Sequence, residues 1–418
     1  MRTAYKCRAY PDPEQAAQLG RTFGCVRLVW NKTLAERQAA YRADGTKTSY
    51  KQTDQALTAW KKTADLAFLS EVSSVPLQQA LRHQHTAFGN FFAGRARHPR
   101  FKNRNGRQSA HYTRSAFRIK NGALSLAKHK RPLHVAWSFH DIDLAALNPT
   151  MVIVSREPDD RFYVTFAVDT DDPGPALGTD SEVGIDLGVK DFATLSTGEK
   201  IANPRHRDRK ARRLAWYQRL MARKQRGSNN QRKAKRKVAV AHRKVRHARN
   251  DFLHKTSTRL VREHNVIAIE DLNVRGMTAS AKGTIDVPGK KVRQKAGLNK
   301  SVLDAAWGEF RRQLEYKAER AGRALVVIDR WFPSSKTCSG CGHLLKKLSL
   351  GTRMWTCPTC RTRHDRDVNA AKNILAAGRV AAREYASGDA CGAGISRRGS
   401  SLPRSVEKQE TAAVRRSA

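Results

Sequence analysis

The hydrophobic rhythm of the chain changes several times along its length. Residues 2–10 (RTAYKCRAY) alternate as a strand does, and Pro11-Asp12-Pro13 breaks that strand and starts a helix. From about 13 to 97 the apolar residues recur at helical spacing, through Leu19, Phe23, Val26, Val29, Trp30 and Leu34. A further helix is predicted to open at Pro76, a good first-turn residue. It carries Leu77, Ala80, Leu81, Phe88, Phe91 and Phe92, whose aromatics are expected in a core, with a face toward nucleic acid as the alternative. From about 98 to 170 alternation returns. FRIKNGALSL holds Asn121-Gly122, a strong hairpin signal, and MVIVSREPDDRFYVTFAV reads as a second hairpin turning at Pro158-Asp159-Asp160. The first strand is expected to join these in a small barrel-like β domain. The Pro/Gly/Asp-rich stretch 169–181 reads as a linker.

Residues 182–202 predict three strands, EVGIDLG, DFATLS and EKIA. A basic helical region follows over 204–263, interrupted by Gly227-Ser228-Asn229-Asn230, so two helices are expected. Leu214, Trp216, Tyr217 and Leu220 give it a packing face. HNVIAIEDL (264–272) is a buried strand, 273–300 a Gly/Lys-rich loop, 301–322 one amphipathic helix, and ALVVIDR (324–330) another buried strand. A helix is predicted from Asp367 to about Ala377. The tail from 386 to 418 has the composition of a disordered segment. From 182 onward the order β-β-β-α-β-α-β-insert-α is that of a ribonuclease-H-like domain, with its first strand central in a mixed sheet.

Composition narrows the function classes. The 418 residues suffice for two to four domains, and 39% are hydrophobic, as in a globular protein. Against 80 Lys and Arg stand 37 Asp and Glu, a formal charge of +43. Such an excess repels itself unless a polyanion neutralises it, and nucleic acid is the first candidate. By count, 204–249 holds 19 Lys/Arg against one acid, Asp208, which predicts a phosphate-binding hairpin. Basic residues over 94–132 suggest a second phosphate surface. They are not confined to one amphipathic helix, which weakens a membrane surface as the partner. No apolar run approaches the ~20 residues that span a bilayer, and no apolar signal segment follows Met1, so a reducing cytoplasm is expected.

Cys338, Cys341, Cys357 and Cys360 form two CxxC knuckles with 15 residues between them. That spacing predicts one closed, structural Zn2+ site that stabilises a loop too small for a core. Cys7, Cys25 and Cys391 are isolated. Acids supply the second constellation. Asp186 lies on the first strand (GIDLG), Glu270 at the end of the fourth (IAIED), and Asp367 opens the final helix (DRDVNAA). A charge on an apolar strand is costly unless it is paired or metal-bound. Three convergent carboxylates therefore predict Mg2+, two ions of which can cut a phosphodiester. Asp365 competes with Asp367, and Asp271, less well, with Glu270.

GIDLGVKDFATLSTG, IAIEDLNVRGM, SVLDAAWGEFRRQLEYKAE, FPSSKTCSGCG, CPTC and DRDVNAAKNIL resemble the signature blocks of the TnpB (OrfB) family. Those are insertion-sequence proteins of bacteria and archaea related to type V CRISPR effectors. The resemblance covers about 2–380 and is most specific over 182–375. It implies an RNA-guided DNA endonuclease with Asp186, Glu270 and Asp367 as catalytic Mg2+ ligands and Cys338, Cys341, Cys357 and Cys360 as zinc ligands. The implied architecture is α/β with β-barrel and helical parts. A wedge-type β-barrel (1–10 and 98–172) is interrupted by a helical recognition domain (11–97). An RNase H-like (RuvC) nuclease domain (182–332 and 364–385) carries an inserted zinc ribbon (333–363). The implied partners are a guide RNA from the transposon end and double-stranded target DNA, for a monomer in the bacterial or archaeal cytoplasm at the nucleoid. Two alternatives remain: a transposase performing strand transfer, for which no helix-turn-helix end-binding domain is legible, and a regulator that binds without cutting.

Overall fold

In the computed structural model, which describes residues 2–139, 142–170, 180–349, 351–387 and 394–396, strand β1 (Arg2–Ala9) ends at Pro11 and helix α1 (Pro13–Asp44) begins after Asp12. Asp12 Oδ1 accepts the Gln15 backbone N–H at 2.8 Å, and Gln15 Oε1 accepts the Asp12 N–H at 3.1 Å. This reciprocal cap satisfies two amides that the helix cannot. The chain divides into two units: Met1–Asp171 with Gln225–Ala239, and Asp172–Lys224 with Val240–Ala418.

The first unit continues through α2 (Tyr50–Trp60), α3 (Ser74–Phe92), β2 (Gln108–Thr113), β3 (Phe117–Lys120), β4 (Ala123–Leu126), β5 (Val135–Ala136), β6 (Met151–Arg156) and β7 (Phe162–Asp169). Five strands form an antiparallel sheet in the order β2-β6-β7-β1-β5; among the described residues no pairing joins β2 to β5. β3 and β4 form a separate hairpin. Its turn residues Asn121 and Gly122 have φ of 48° and 72°, the positive values a two-residue turn of that type requires. Leu19 and Phe23 of α1 join Tyr112, Val152, Val164 and Phe166 in the core over the sheet. A second core ties the helices together through Val29, Leu57, Trp60, Leu69, Leu77 and Leu81.

Two expectations change here. α3 opens at Ser74 rather than Pro76. The aromatics at its far end are not core: Phe88 and Phe91 are half-buried and Phe92 is 64% exposed. The helical core contains nothing of α3 beyond Leu81, and the helix runs on past it.

The second unit contains β8 (Glu182–Leu187), β9 (Asp191–Leu195), β10 (Lys200–Ala202), α4 (His206–Arg209), α5 (Ala211–Ala222), most of α6 (Asn229–Glu263), β11 (Val266–Glu270), α7 (Val274–Met277), α8 (Val292–Ala305), α9 (Trp307–Ala321), β12 (Ala324–Ile328), β13 (Met354–Thr356), β14 (Arg363–Asp365), α10 (Arg366–Ser387) and β15 (Gly394–Ser396). Its sheet runs β10-β9-β8-β11-β12-β15. β8 is antiparallel to β9 and parallel to β11, and β11 is parallel to β12. One face buries Val183, Ile185, Ile267, Ile269 and Leu325 against Leu253, Leu260, Phe310 and Leu314 of α6 and α9. The other face receives α10.

The expected single helix over 301–322 is two, because Ala306 takes a left-handed conformation (φ 56°) between α8 and α9. The break falls at an alanine, a good helix former, and Gly308 lies two residues later inside α9, so the sequence did not locate it. The expected loop 273–300 contains α7 and the start of α8, and α10 extends ten residues past Ala377. Of the expected packing face on α5 only Leu214 is buried, while Trp216 is 49% exposed. Within the tail expected to be disordered, β15 pairs with β12, whose open edge offers unpaired backbone groups. The rest of 388–418 and most of the 169–181 linker lie outside the described residues.

α10 lies unusually close to the sheet. A Cβ added to Gly184 of β8 would meet Ala371 O at 2.1 Å and Leu375 N at 2.6 Å; one added to Gly378 of α10 would meet Ala268 Cβ at 2.6 Å. Gly184→Ala is therefore expected to cost about 1–3 kcal/mol and lower Tm by several degrees. Gly20→Ala in α1, where a Cβ meets nothing within 4 Å, should gain about 0.5–1 kcal/mol. Melting curves followed by circular dichroism check both signs; a harmless Gly184→Ala contradicts the close approach.

Candidate active site

Strand register brings two of the predicted acids level. Ile185 pairs with Ile269 across parallel strands β8 and β11, so Asp186 and Glu270 come next on each. Residues two apart share a sheet face. Gly184 faces α10, and so does Asp186; Ala268 lies against Gly378 of α10, and Glu270 shares its side. Asp367 sits in the first turn of α10, one turn before Ala371. The three acids thus converge at one end of the face that α10 covers.

The electrostatics report this convergence. The Asp186 carboxyl is pushed up from 3.8 to about 7, first by burial, then by Glu270 and by Asp367, against the pull of Arg366 and Arg353. Burial also raises Glu270, opposed by the Ser334 hydroxyl, which donates to Glu270 Oε1 at 2.6 Å. Arg353 Nη1 lies 3.5 Å from both Asp367 oxygens. The competing acids are engaged otherwise. Asp365 Oδ1 accepts the backbone N–H groups of Asp367 and Val368 at 3.0 and 3.1 Å, capping α10, and its Oδ2 meets Lys200 Nζ at 2.7 Å. Burial disfavours its ionisation, but Lys200 and those amides outweigh burial and hold the carboxyl below its usual range. Asp271 is likewise held low despite burial, by Arg311 at 2.5 Å and by Arg330.

The cysteines are brought closer still. Cys338 Sγ lies 3.5 Å from Cys360 Sγ, and Cys341 Sγ 3.6 Å from Cys357 Sγ. Zn–S bonds of about 2.3 Å imply tetrahedral edges of roughly 3.8 Å, so the four sulfurs fit Zn2+. Among the described residues, these four are the one set of three or more such side chains whose ligand atoms all lie within 4.8 Å of one another; the three carboxylates are coupled but more widely spread. Trp355, Leu345 and Leu348 pack on the module.

Several contributors had no role assigned to them from the sequence, although Ser334, Asn369 and Asn373 lie within the family's blocks. His364 Nε2 approaches Cys338 Sγ at 3.0 Å, and the Thr362 hydroxyl lies 3.2 Å from Cys360 Sγ. Ser334 reaches Glu270 across 64 residues. Asn369 and Asn373, both buried, join the module to α10. Asn369 Oδ1 accepts Ser339 N–H at 2.9 Å, and the amides donate to Thr337 O at 2.7 and 2.6 Å; Asn373 also donates to Ser334 O at 2.8 Å. The segment that enters the thiol cluster is thereby fixed to the helix that begins with Asp367.

Residues 165–281 match the family OrfB_IS605, described as "Probable transposase", and 307–374 match "Cas12f1-like, TNB domain". Residues 1–46 match a family described as "Helix-turn-helix domain", a likeness the sequence reading did not find. That span folds as β1 and the single 32-residue helix α1, without a second helix. A Streptomyces pristinaespiralis protein named "Putative RNA-guided DNA endonuclease" is 52% identical over 414 residues, 98% of this chain and 96% of that one. The Escherichia coli K12 protein "Putative RNA-guided DNA endonuclease InsQ" is 33% identical over 90% of this chain and 92% of its own. Among solved structures, a Cas12f1–sgRNA–target DNA complex aligns with a TM-score of 0.50 at 14% identity, over 87% of this chain and 83% of that one, a likeness of fold.

Two outcomes follow from the site. A carboxyl that titrates near 7 when folded and near 3.8 when unfolded weakens the fold increasingly as pH rises from 4 to beyond 7. In chelator-treated protein, Asp186→Asn should raise Tm by a few degrees at pH 8, and the gain should vanish toward pH 4; a gain independent of pH contradicts the buried acid cluster. Cys357→Ser should lower Tm and zinc content together, as read by calorimetry and elemental analysis. Unchanged melting would count against a structural metal.

Proposed function

The chain belongs to the TnpB (OrfB) family, and on that premise we propose that it is an RNA-guided DNA endonuclease whose chemistry rests on Asp186, Glu270 and Asp367. The observation that carries this reading is the placement of Asp186 and Glu270 level on adjacent parallel strands, on the face that α10 covers and toward which its first turn brings Asp367. Mutually repelling carboxyls at one end of a sheet face form an oxygen donor set suited to Mg2+, and a pair of such ions would supply an activated water and neutralise charge at the departing 3′ oxygen. The protein's own groups do the positioning. Asp186 and Glu270 come from adjacent strands, and Ser334 fixes the Glu270 rotamer. Asp365 caps α10 and so leaves Asp367 for the site. Arg353, near Asp367, offers a cation to an approaching phosphate.

In this reading the sheet of the second unit is the RNase H-like (RuvC) nuclease domain, the thiol cluster its zinc ribbon, the first-unit sheet the wedge barrel, and α1–α3 the recognition domain. The guide is an RNA from the transposon end and the target is double-stranded DNA. In guided systems base pairing supplies sequence and protein supplies backbone contacts, which suits a charge of +43. Among the described residues no helix is long and apolar enough to cross a membrane. No observation favours strand transfer.

The test copurifies the protein with RNA transcribed from its own flanking sequence and presents a plasmid library with randomised target flanks. Guide-dependent cuts that need Mg2+ are expected. Asp186→Ala and Asp367→Asn should abolish cutting with RNA binding intact, whereas Asp365→Ala should chiefly lower Tm, through loss of a cap worth about 0.5–2 kcal/mol. Cutting by Asp186→Ala protein would remove that residue from the mechanism.

A further inference from the structure

The loop that follows β12 presents a bare aromatic ring beside the acid cluster. Trp331 is 85% exposed, the most exposed aromatic side chain among the described residues. Its chain is tied to Glu270 on both sides. Glu270 pairs with Ile328 in the parallel register of β11 and β12, three residues before Trp331. Ser334, three residues after it, donates to Glu270 Oε1 at 2.6 Å. Three residues of chain reach at most about 11 Å, so Trp331 is kept at the acid-bearing end of the sheet. The turn itself is fixed. Asp329 Oδ1 accepts the Trp331 N–H at 2.6 Å, and Asp329 O accepts the Phe332 N–H at 3.2 Å. Arg330 pairs with Asp271, and the Phe332 ring packs with Ala268, Ile328 and Ile374 of α10. The residues on either side of Trp331 are thus anchored, while its own ring is left to solvent. An indole in water forgoes the burial that makes tryptophan stabilising.

We propose that Trp331 stacks on one base of the unpaired DNA strand and so holds that strand's phosphodiester at Asp186, Glu270 and Asp367. The inference rests on the nuclease reading and adds to it a residue that positions the strand to be cut. Guide pairing leaves one DNA strand unpaired, and an aromatic ring is the platform on which such bases stack. Every base has a π-face, so the contact tolerates any sequence, as suits an enzyme whose target is chosen by pairing. One stacked base fixes the path of its neighbours and so the placement of the reacting phosphate. The core of a protein interface needs an apolar patch. Here the flanking side chains are a paired Arg330 and a half-buried Phe332, so the ring stands alone and a base is the better occupant.

The full-length protein, loaded with its guide RNA, is bound to a synthetic duplex target, and cutting of the unpaired strand is started with Mg2+ and timed over a single turnover. Single abasic sites are walked through that strand around the mapped cut. Wild-type cutting should slow about tenfold at one position, the effect of one lost stack. Trp331→Ala should cut intact DNA about tenfold more slowly and show no further loss at that position, while Trp331→Phe keeps both the rate and the sensitivity. Target affinity measured without Mg2+ and Tm should stay as in the wild type, since the ring is exposed. Trp331→Ala that cuts intact DNA at the wild-type rate overturns the proposal, as does a loss that multiplies with the abasic one or comes with a lower Tm. A wild type indifferent to every abasic position overturns it and leaves the nuclease reading intact. A wild type that cuts no guided target overturns both.

Discussion

The second unit depends on how closely α10 approaches β8. The helix backbone occupies the space where a side chain at 184 would stand. A glycine there, and Gly378 against Ala268, lets the helix lie directly on the parallel strands instead of on a layer of side chains. This approach carries Asp367 toward the end of the sheet where Asp186 and Glu270 emerge. A helix held off by one methyl layer would leave the same acids in the same order with less mutual effect. The close contact also bears on why Asp186 resists ionisation: burial raises its carboxyl first, and Glu270 and Asp367 add to that.

A second constraint sorts the acids. The protein has two neighbouring candidates at each of two places, Glu270 beside Asp271 and Asp365 two residues from Asp367, and in each case one is consumed by structure. Asp365 satisfies the first amides of α10 and pairs with Lys200; Asp271 is held by two arginines. Their carboxyls are stabilised as anions, whereas Asp186 and Glu270 are driven toward the neutral form. The thiol module acts on the same helix through Asn369 and Asn373, and its entering segment carries Ser334 to Glu270. A metal that orders the module would therefore also order the acid cluster.

Much of this was legible in the sequence because it rests on short-range rules. The Asp12 cap, the Asn121-Gly122 turn, the apolar strands of the second unit and the CxxC spacing are local signals, and the family's blocks gave their order a meaning. What was not legible depends on long-range packing. The helix breaks at Ala306, itself a good helix former, because the fold and not the residue requires a left-handed turn. Phe88, Phe91 and Phe92 repeat at helical spacing as core residues do, and only the end of the helical core shows that they face a cleft. Ser334 and His364 are ordinary residues until the fold brings them to Glu270 and Cys338.

Asp186, Glu270 and Asp367 are proposed to share a divalent cation. The most direct measurement is anomalous diffraction from crystals of the protein soaked in Mn2+ in place of Mg2+. A peak is expected about 2.0–2.5 Å from a carboxylate oxygen of each of the three acids. Manganese bound elsewhere, or held by Asp365 or Asp271 instead, would contradict it.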